Sequence, residues 1–286
     1  MKPRCTIMLV MCLAVAGLTV RSFGATNDAG GSLTQGQSGI GRPSAITAGQ
    51  RVFTAGNSFH AWYIAPILQD VATNAGFSAH SIVGVSKIGG SRAIQHWDVP
   101  EEKNEAKAAL RAGRVDVLTL ACMLHPDEGI DKFAGLAVTN NSNARVVLQE
   151  FWIPWDKFEW PFQGKESDVD FDAATSAKLR ALHEPYFKEM DAYVTALNTR
   201  LGKPVVFVAP VGQAVVALRE KIIAGEVPGI AKQSELFTDK LGIPIPPSKR
   251  WRRIAILRSS IGGRRWDCPC RRYSPRAAIR GGGPQN

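Results

Sequence analysis

The sequence predicts a three-layer α/β domain on a parallel sheet of five strands, and three observations predict it. Five short apolar runs are bounded by turn or polar residues. Helix-like stretches alternate with them. The runs are continuously apolar, as strands covered on both faces must be.

The strands are read at Arg51–Ala55, His80–Gly84, Val115–Cys122, Ala144–Trp152 and Pro204–Val211. The first helix is expected over Ala61–Ala75, an amphipathic stretch ending before Gly76. The second covers the charged, Ala-rich Glu101–Ala112 and stops at Gly113. A weaker pattern covers Asp127–Ala137. A long helix over Ala173–Leu201 closes at Gly202, the usual glycine position after a helix, and a last one spans Gln213–Ala224 before Gly225. There is no internal repeat.

The chain has 286 residues, which suits one domain with irregular ends. Lys2 and Arg4 precede an apolar run from Cys5 to Val20, and the small-residue stretch Ser22–Ala25 follows. That layout predicts a signal peptide over 1–25, hence export to the periplasm or medium, with no stable membrane span after cleavage. Residues 26–48 read as a flexible lead-in rich in Gly, Ser and Gln, residues 49–247 as the folded domain, and 248–286 as a basic, disordered tail. Of five cysteines, Cys122 alone lies in the body, so disulfides do not hold it together; within VLTLACML it reads as a buried thiol.

The formal charge of +10 suggests nucleic acid or a membrane until it is mapped. Eleven Lys/Arg and one acid lie at 249–286, and the remaining 24 basic and 24 acidic residues cancel. The body is neutral. No nucleic-acid partner is expected, because the tail lacks a helical or aromatic-interleaved pattern. No His/Cys/Asp/Glu spacing suits a metal and no glycine loop suits a phosphate, so no cofactor is expected.

Function in parallel sheets collects at the carboxyl ends of the strands. The first strand ends in Gly56-Asn57-Ser58-Phe59-His60. Ser58 or Asn57 could simply cap the helix that follows. A serine there could equally attack an ester, since free backbone N–H groups at a helix start stabilise a developing oxyanion. The second strand leads to Gly89-Gly90-Ser91, either a turn or a place where backbone approaches substrate closely, and His96-Trp97-Asp98 follows. The third ends in Leu124-His125-Pro126-Asp127, and the fourth in Phe151-Trp152-Ile153-Pro154-Trp155, with Trp160 beyond. These aromatics are either a substrate-facing lip or a local lid. Asn57, His60, His125, Trp152 and Trp155 are the candidate lining residues. His60 could also be a local structural group, and His125 a substitute base.

In this order the features resemble the SGNH, or GDSL-type, hydrolases, which are flavodoxin-like α/β/α esterases with a Ser-His-Asp triad. Gly56-Asn57-Ser58 matches their Gly-Asp-Ser element with Asn for Asp, and Gly89 or Gly90 in KIGGSR matches the backbone oxyanion glycine after the second strand. Their Gly-x-Asn-Asp element after the third strand is replaced here by LACMLHPDEG. Their C-terminal acid and histidine fall in SELFTDKLGIPIPP, where Asp239 fits the acid and Ile243 stands in the place of the histidine. The resemblance runs from about Arg51 to Gly242. It implies Ser58 as the nucleophile, the N–H groups of Ser58 and Gly89 or Gly90 as the oxyanion hole, and Asp239 as the residue that orients a histidine. The substrate would be a small-molecule or carbohydrate ester.

After Gly242 the apolar periodicity stops and an Arg/Trp/Cys/Gly-rich tail begins. Gly242–Pro247 can be encoded GGC-ATC-CCC-ATC-CCC-CCC, and one frame over this reads His-Pro-His-Pro, with a histidine in the place of Ile243. With synonymous third bases, that frame continues into an amphipathic helical pattern. The expectation is a frameshifted esterase, impaired for want of its base. Two alternatives remain: a non-catalytic glycan-binding protein on the same fold, and a protein whose basic tail binds nucleic acid or anionic surfaces. Oligomeric state is not legible.

Overall fold

The computed structural model describes residues 46–152 and 170–238. Their core is one sheet of five strands: β1 (Arg51–Gly56), β2 (Ser81–Lys87), β3 (Val117–Cys122), β4 (Arg145–Glu150) and β5 (Val206–Ala209). All neighbouring pairs run parallel, and the order across the sheet is β2-β1-β3-β4-β5. That is the flavodoxin-like doubly wound order. Each expected strand is found. β2 runs on to Lys87, past its expected end at Gly84.

Among the described residues six α-helices cover the two faces: α1 (Ile64–Asn74), α2 (Ala93–Trp97), α3 (Glu105–Arg111), α4 (Glu128–Asn140), α5 (Ser176–Arg200) and α6 (Val211–Ile223). Leu68 of α1 and Val211 and Ile222 of α6 pack with Val52, Val117 and Val147 on one face. Ala93, Leu110, Phe133 and Met190, from α2 to α5, pack with Phe53, Leu118, Val146 and Leu148 on the other. Every residue of β3 is buried, which is why the strand reads as one unbroken apolar run. Burying a side chain such as Leu118 or Phe133 contributes about 1.5–3 kcal/mol each, so these two layers hold the sheet.

Two helices depart from expectation. α1 begins at Ile64, not Ala61; its N-cap is Tyr63, with no side-chain cap bond. Neither Ser58 nor Asn57 caps it. α2 was not expected at all. The first N–H groups of this five-residue helix are capped across space by Asp127, whose carboxylate accepts from Ala93 N (2.9 Å) and Ile94 N (3.0 Å). Among the described residues, no helix is long and apolar enough to cross a membrane.

Candidate functional site

The segment after β1 is built around an exception. Gly56 ends the strand where the chain passes so close to β3 that an added Cβ would lie 2.8 Å from the Ala121 side chain. Asn57 is buried and uses both halves of its amide. Its Nδ2 donates to the Ser91 carbonyl at 3.0 Å, and its Oδ1 accepts from the Phe59 N–H at 3.1 Å. An aspartate could accept from Phe59 but not donate to Ser91, which accounts for Asn at this position.

His60 is pegged as firmly. Gln149 Nε2 donates to the Phe59 carbonyl at 3.1 Å, so its Oε1 faces His60 Nδ1 at 2.8 Å as an acceptor. Nδ1 therefore carries the hydrogen, and Nε2 accepts from the Thr119 hydroxyl at 2.9 Å. Burial pushes this imidazole down to about 4, so it is neutral. The Phe59 ring packs edge-on against Phe151 (4.9 Å) and Trp152 (5.1 Å).

Between these fixed neighbours lies Ser58, half-buried, with neither its hydroxyl nor its N–H bonded to any described residue. The second loop lies beside it. Gly56 pairs with Lys87 across the β1–β2 ladder, so Ser58 and Gly89 each stand two residues beyond that pair. Gly89 and Gly90 are exposed, their N–H groups are unbonded among the described residues, and Gly90 has φ +63°. A Cβ added at either would meet nothing within 4 Å. The next residue, Ser91, is buried. Its carbonyl takes the Asn57 bond, and its hydroxyl lies 2.7 Å from His96 Nε2. His96 Nδ1 lies 2.7 Å from the Ser86 hydroxyl. Burial, and then the nearby His60, push this second imidazole down to about 4 as well.

Four lining candidates are corrected, the first being Asn57, which is buried with its amide spent on Ser91 and Phe59. His60 is 3% exposed with both nitrogens engaged, and Trp152 is 2% exposed in the core beneath the first loop; neither lines a cleft. The fourth strand turns its first aromatics inward because the Phe59 ring awaits them there. His125 is buried too. Its Nε2 meets the Tyr186 carbonyl at 3.2 Å and its ring stacks on Tyr193, so it faces α5. None of the five histidines of the chain bonds Ser58. Trp155, Trp160, Asp239 and Ile243 lie outside the described residues.

Sequence reading missed Gln149, Thr119, Ser91 and Glu150. Glu150 ends β4, fully buried, and accepts from Gln213 Nε2 (2.8 Å) and the Gln213 N–H (3.2 Å) at the start of α6. Burial pushes its carboxyl up to about 8. A lone polar pair at the end of an apolar run was the available signal. No family model matches the chain, and no curated protein matches it.

Proposed function

We propose that this chain is an exported ester hydrolase of the SGNH, or GDSL-type, kind, built around Ser58. The observation that carries the reading is a set of accessible groups with no protein partner among the described residues. These are the hydroxyl and N–H of Ser58 and the N–H groups of Gly89 and Gly90, on two loops tied together at 3.0 Å. N–H groups that face solvent at the carboxyl edge and make no internal bond are open to a developing oxyanion.

In that reading Ser58 Oγ attacks the ester carbonyl and its proton passes to an imidazole base. The oxyanion accepts from the open N–H groups. Collapse then expels the alcohol, which takes the proton from the imidazolium, and water resolves the acyl-enzyme by the same route. Asp239 would orient the base. The chain as written has Ile243 in the place of that histidine, so we propose that it is a frameshifted, impaired copy. Resequencing the gene should reveal a continuation in the other frame; an intact frame with no slip site would rule this out.

The test is p-nitrophenyl acetate turnover by a chain carrying the other-frame residues from position 243 onward. Turnover lost on Ser58→Ala supports the reading, and turnover indifferent to that change refutes it. One observation favours a second reading, a non-catalytic glycan binder on the same fold: no histidine bonds Ser58. Sugar binding without acylation of the restored chain would select it.

A further inference from the structure

The turn that carries Gly89 and Gly90 hangs on a chain of bonds that starts on the third loop. Ile88 to Ser91 close a four-residue turn: the Ser91 N–H donates to the Ile88 carbonyl at 3.4 Å, and Gly90, third in the turn, takes φ +63°. Behind the turn, the Ile88 N–H donates to the Gly56 carbonyl at 3.4 Å. Ahead of it, Ser91 is gripped twice, by Asn57 at its carbonyl and by His96 at its hydroxyl. His96 rides on α2, so its grip on Ser91 follows wherever α2 goes. A helix of five residues is too short to fix its own direction. Asp127 fixes it. This carboxylate is 1% exposed and accepts from Ala93 N and Ile94 N on α2, and from the Gly129 N–H of its own loop at 2.9 Å. Arg92 adds a second tie, its guanidinium donating to the Pro126 carbonyl at 2.9 Å. The two segments meet backbone to backbone, for a Cβ at Gly129 would lie 2.2 Å from Ile94 N.

We infer that Asp127 is a positioning residue for the oxyanion donors: through α2, His96 and Ser91 it holds the turn that presents the Gly89 and Gly90 N–H groups. That these donors serve an ester rests on the hydrolase reading above; the bracing itself does not. Asp127 cannot take the donor's part. A carboxylate only accepts, and three backbone N–H groups already occupy this one. The brace matters because two successive glycines have wide backbone freedom and no side chains with which to anchor their turn. A Cβ added at either meets nothing within 4 Å, so packing does not wall the turn in. Its two N–H groups therefore point only as well as Ser91 is held. Donors aimed in advance at a developing charge need no reorganisation during the reaction, which is where their rate advantage lies.

The experiment begins with the full ¹⁵N-labelled chain as written and two variants, Asp127→Asn and Ser91→Ala. In Asp127→Asn, amide exchange at Ala93 and Ile94 should quicken at least about tenfold, the loss of one such bond. The Gly89 and Gly90 amides should lose order, read as a fall in their ¹H–¹⁵N NOE, while the β3 amides from Val117 to Leu120 keep their protection. Ser91→Ala cuts the chain of bonds further along, and decides the matter should Asp127→Asn fail to fold. There the two glycines should lose order while Ala93 and Ile94 stay protected. Glycine amides as ordered as in the parent chain, in either variant, overturn the inference and leave Asp127 a cap of α2 alone. Turnover of p-nitrophenyl acetate by the restored chain is read separately. Asp127→Asn should lower kcat at least about tenfold with KM within about twofold. Asp116→Asn, which breaks the Arg51 ion pair at the opposite edge of the sheet, should leave kcat in place. An equal fall in both variants is general destabilisation and overturns the inference. If the restored chain neither turns over ester nor labels with fluorophosphonate, the hydrolase reading fails and the NMR result alone decides the brace.

Discussion

The two ends of the sheet's carboxyl edge solve the same problem in opposite ways. Over β1 and β2, buried neutral groups (Asn57, His60 and His96, with Gln149 reaching in from β4) surround a serine with no protein partner among the described residues. Over β4 and β5, the titratable group is the buried one: Glu150 lies under the start of α6, and its acceptors are spent on Gln213. The first region spends its hydrogen bonds on the neighbours of an open serine, and the second on the buried carboxyl itself. Burial is the main cause of the Glu150 shift, so the raised carboxyl marks the packing at the start of α6 and does not alone mark a functional site.

The largest expected effect falls on the packed side. A Cβ at Gly212 would lie 2.2 Å from the Phe151 carbonyl oxygen, a backbone atom that cannot swing aside. Gly212→Ala should destabilise the protein by about 3 kcal/mol or more, read by chemical denaturation. A cost below about 1 kcal/mol would mean that β4 and α6 are less tightly joined than described.

Next is pH, where the two regions have opposite signs. His60 and His96 are lowered to about 4, so the unfolded chain binds more protons than the folded one between there and the ordinary value of 6.5. Their contribution is complete above 6.5 and is lost as pH falls toward 4. Glu150 is raised to about 8 from 4.5, so its contribution is complete below 4.5 and is lost as pH rises toward 8. Stability should therefore peak near pH 6.5 and fall on both sides. Glu150→Gln should flatten the alkaline fall, and His96→Asn the acid one. A flat profile between pH 4 and 8 would contradict both burial assignments.

On the open side, Asn57→Asp removes the donor to Ser91 and sets a carboxylate against its carbonyl. The expected cost is about 2 kcal/mol, together with slower labelling of Ser58 in the chain that carries the other-frame residues, because the two loops part. Unchanged stability and labelling would show that the tie does not position the serine. The smallest effect belongs to Gly89→Ala, where an added methyl meets nothing within 4 Å. Stability should move by less than about 0.5 kcal/mol. A loss comparable to that at Gly212 would erase the contrast between the regions.

Much of the fold was legible because burial on both faces forces apolar runs, as in β3 and β4; the edge strand β2 has no buried residue, and its end was misplaced. α2 was not legible, since it has only five residues and its first N–H groups are held by Asp127, 34 residues after Ala93; the one local contribution is Gln95 Oε1, which accepts from the Arg92 N–H at 2.8 Å. At the site, Gly56-Asn57-Ser58 and Gly89-Gly90 could be read from turn chemistry after two strands. His60 and Trp152 were misread because polarity and aromaticity say nothing of direction. A one-turn offset in the start of α1 sends Phe59 and His60 inward and leaves Trp62 and Tyr63 outside. Thr119 was hidden between Leu118 and Leu120, and Gln149 was legible only as half of the polar pair that ends β4.

The most direct test of the central claim is fluorophosphonate labelling, mapped by peptide mass spectrometry, of two chains side by side. One is this chain, and the other carries the other-frame residues from position 243 onward. The account predicts labelling at Ser58 in the restored chain, with little or none in the chain as written. If neither chain labels at Ser58, the open hydroxyl and N–H groups are not an acyl-transfer site and the hydrolase proposal fails.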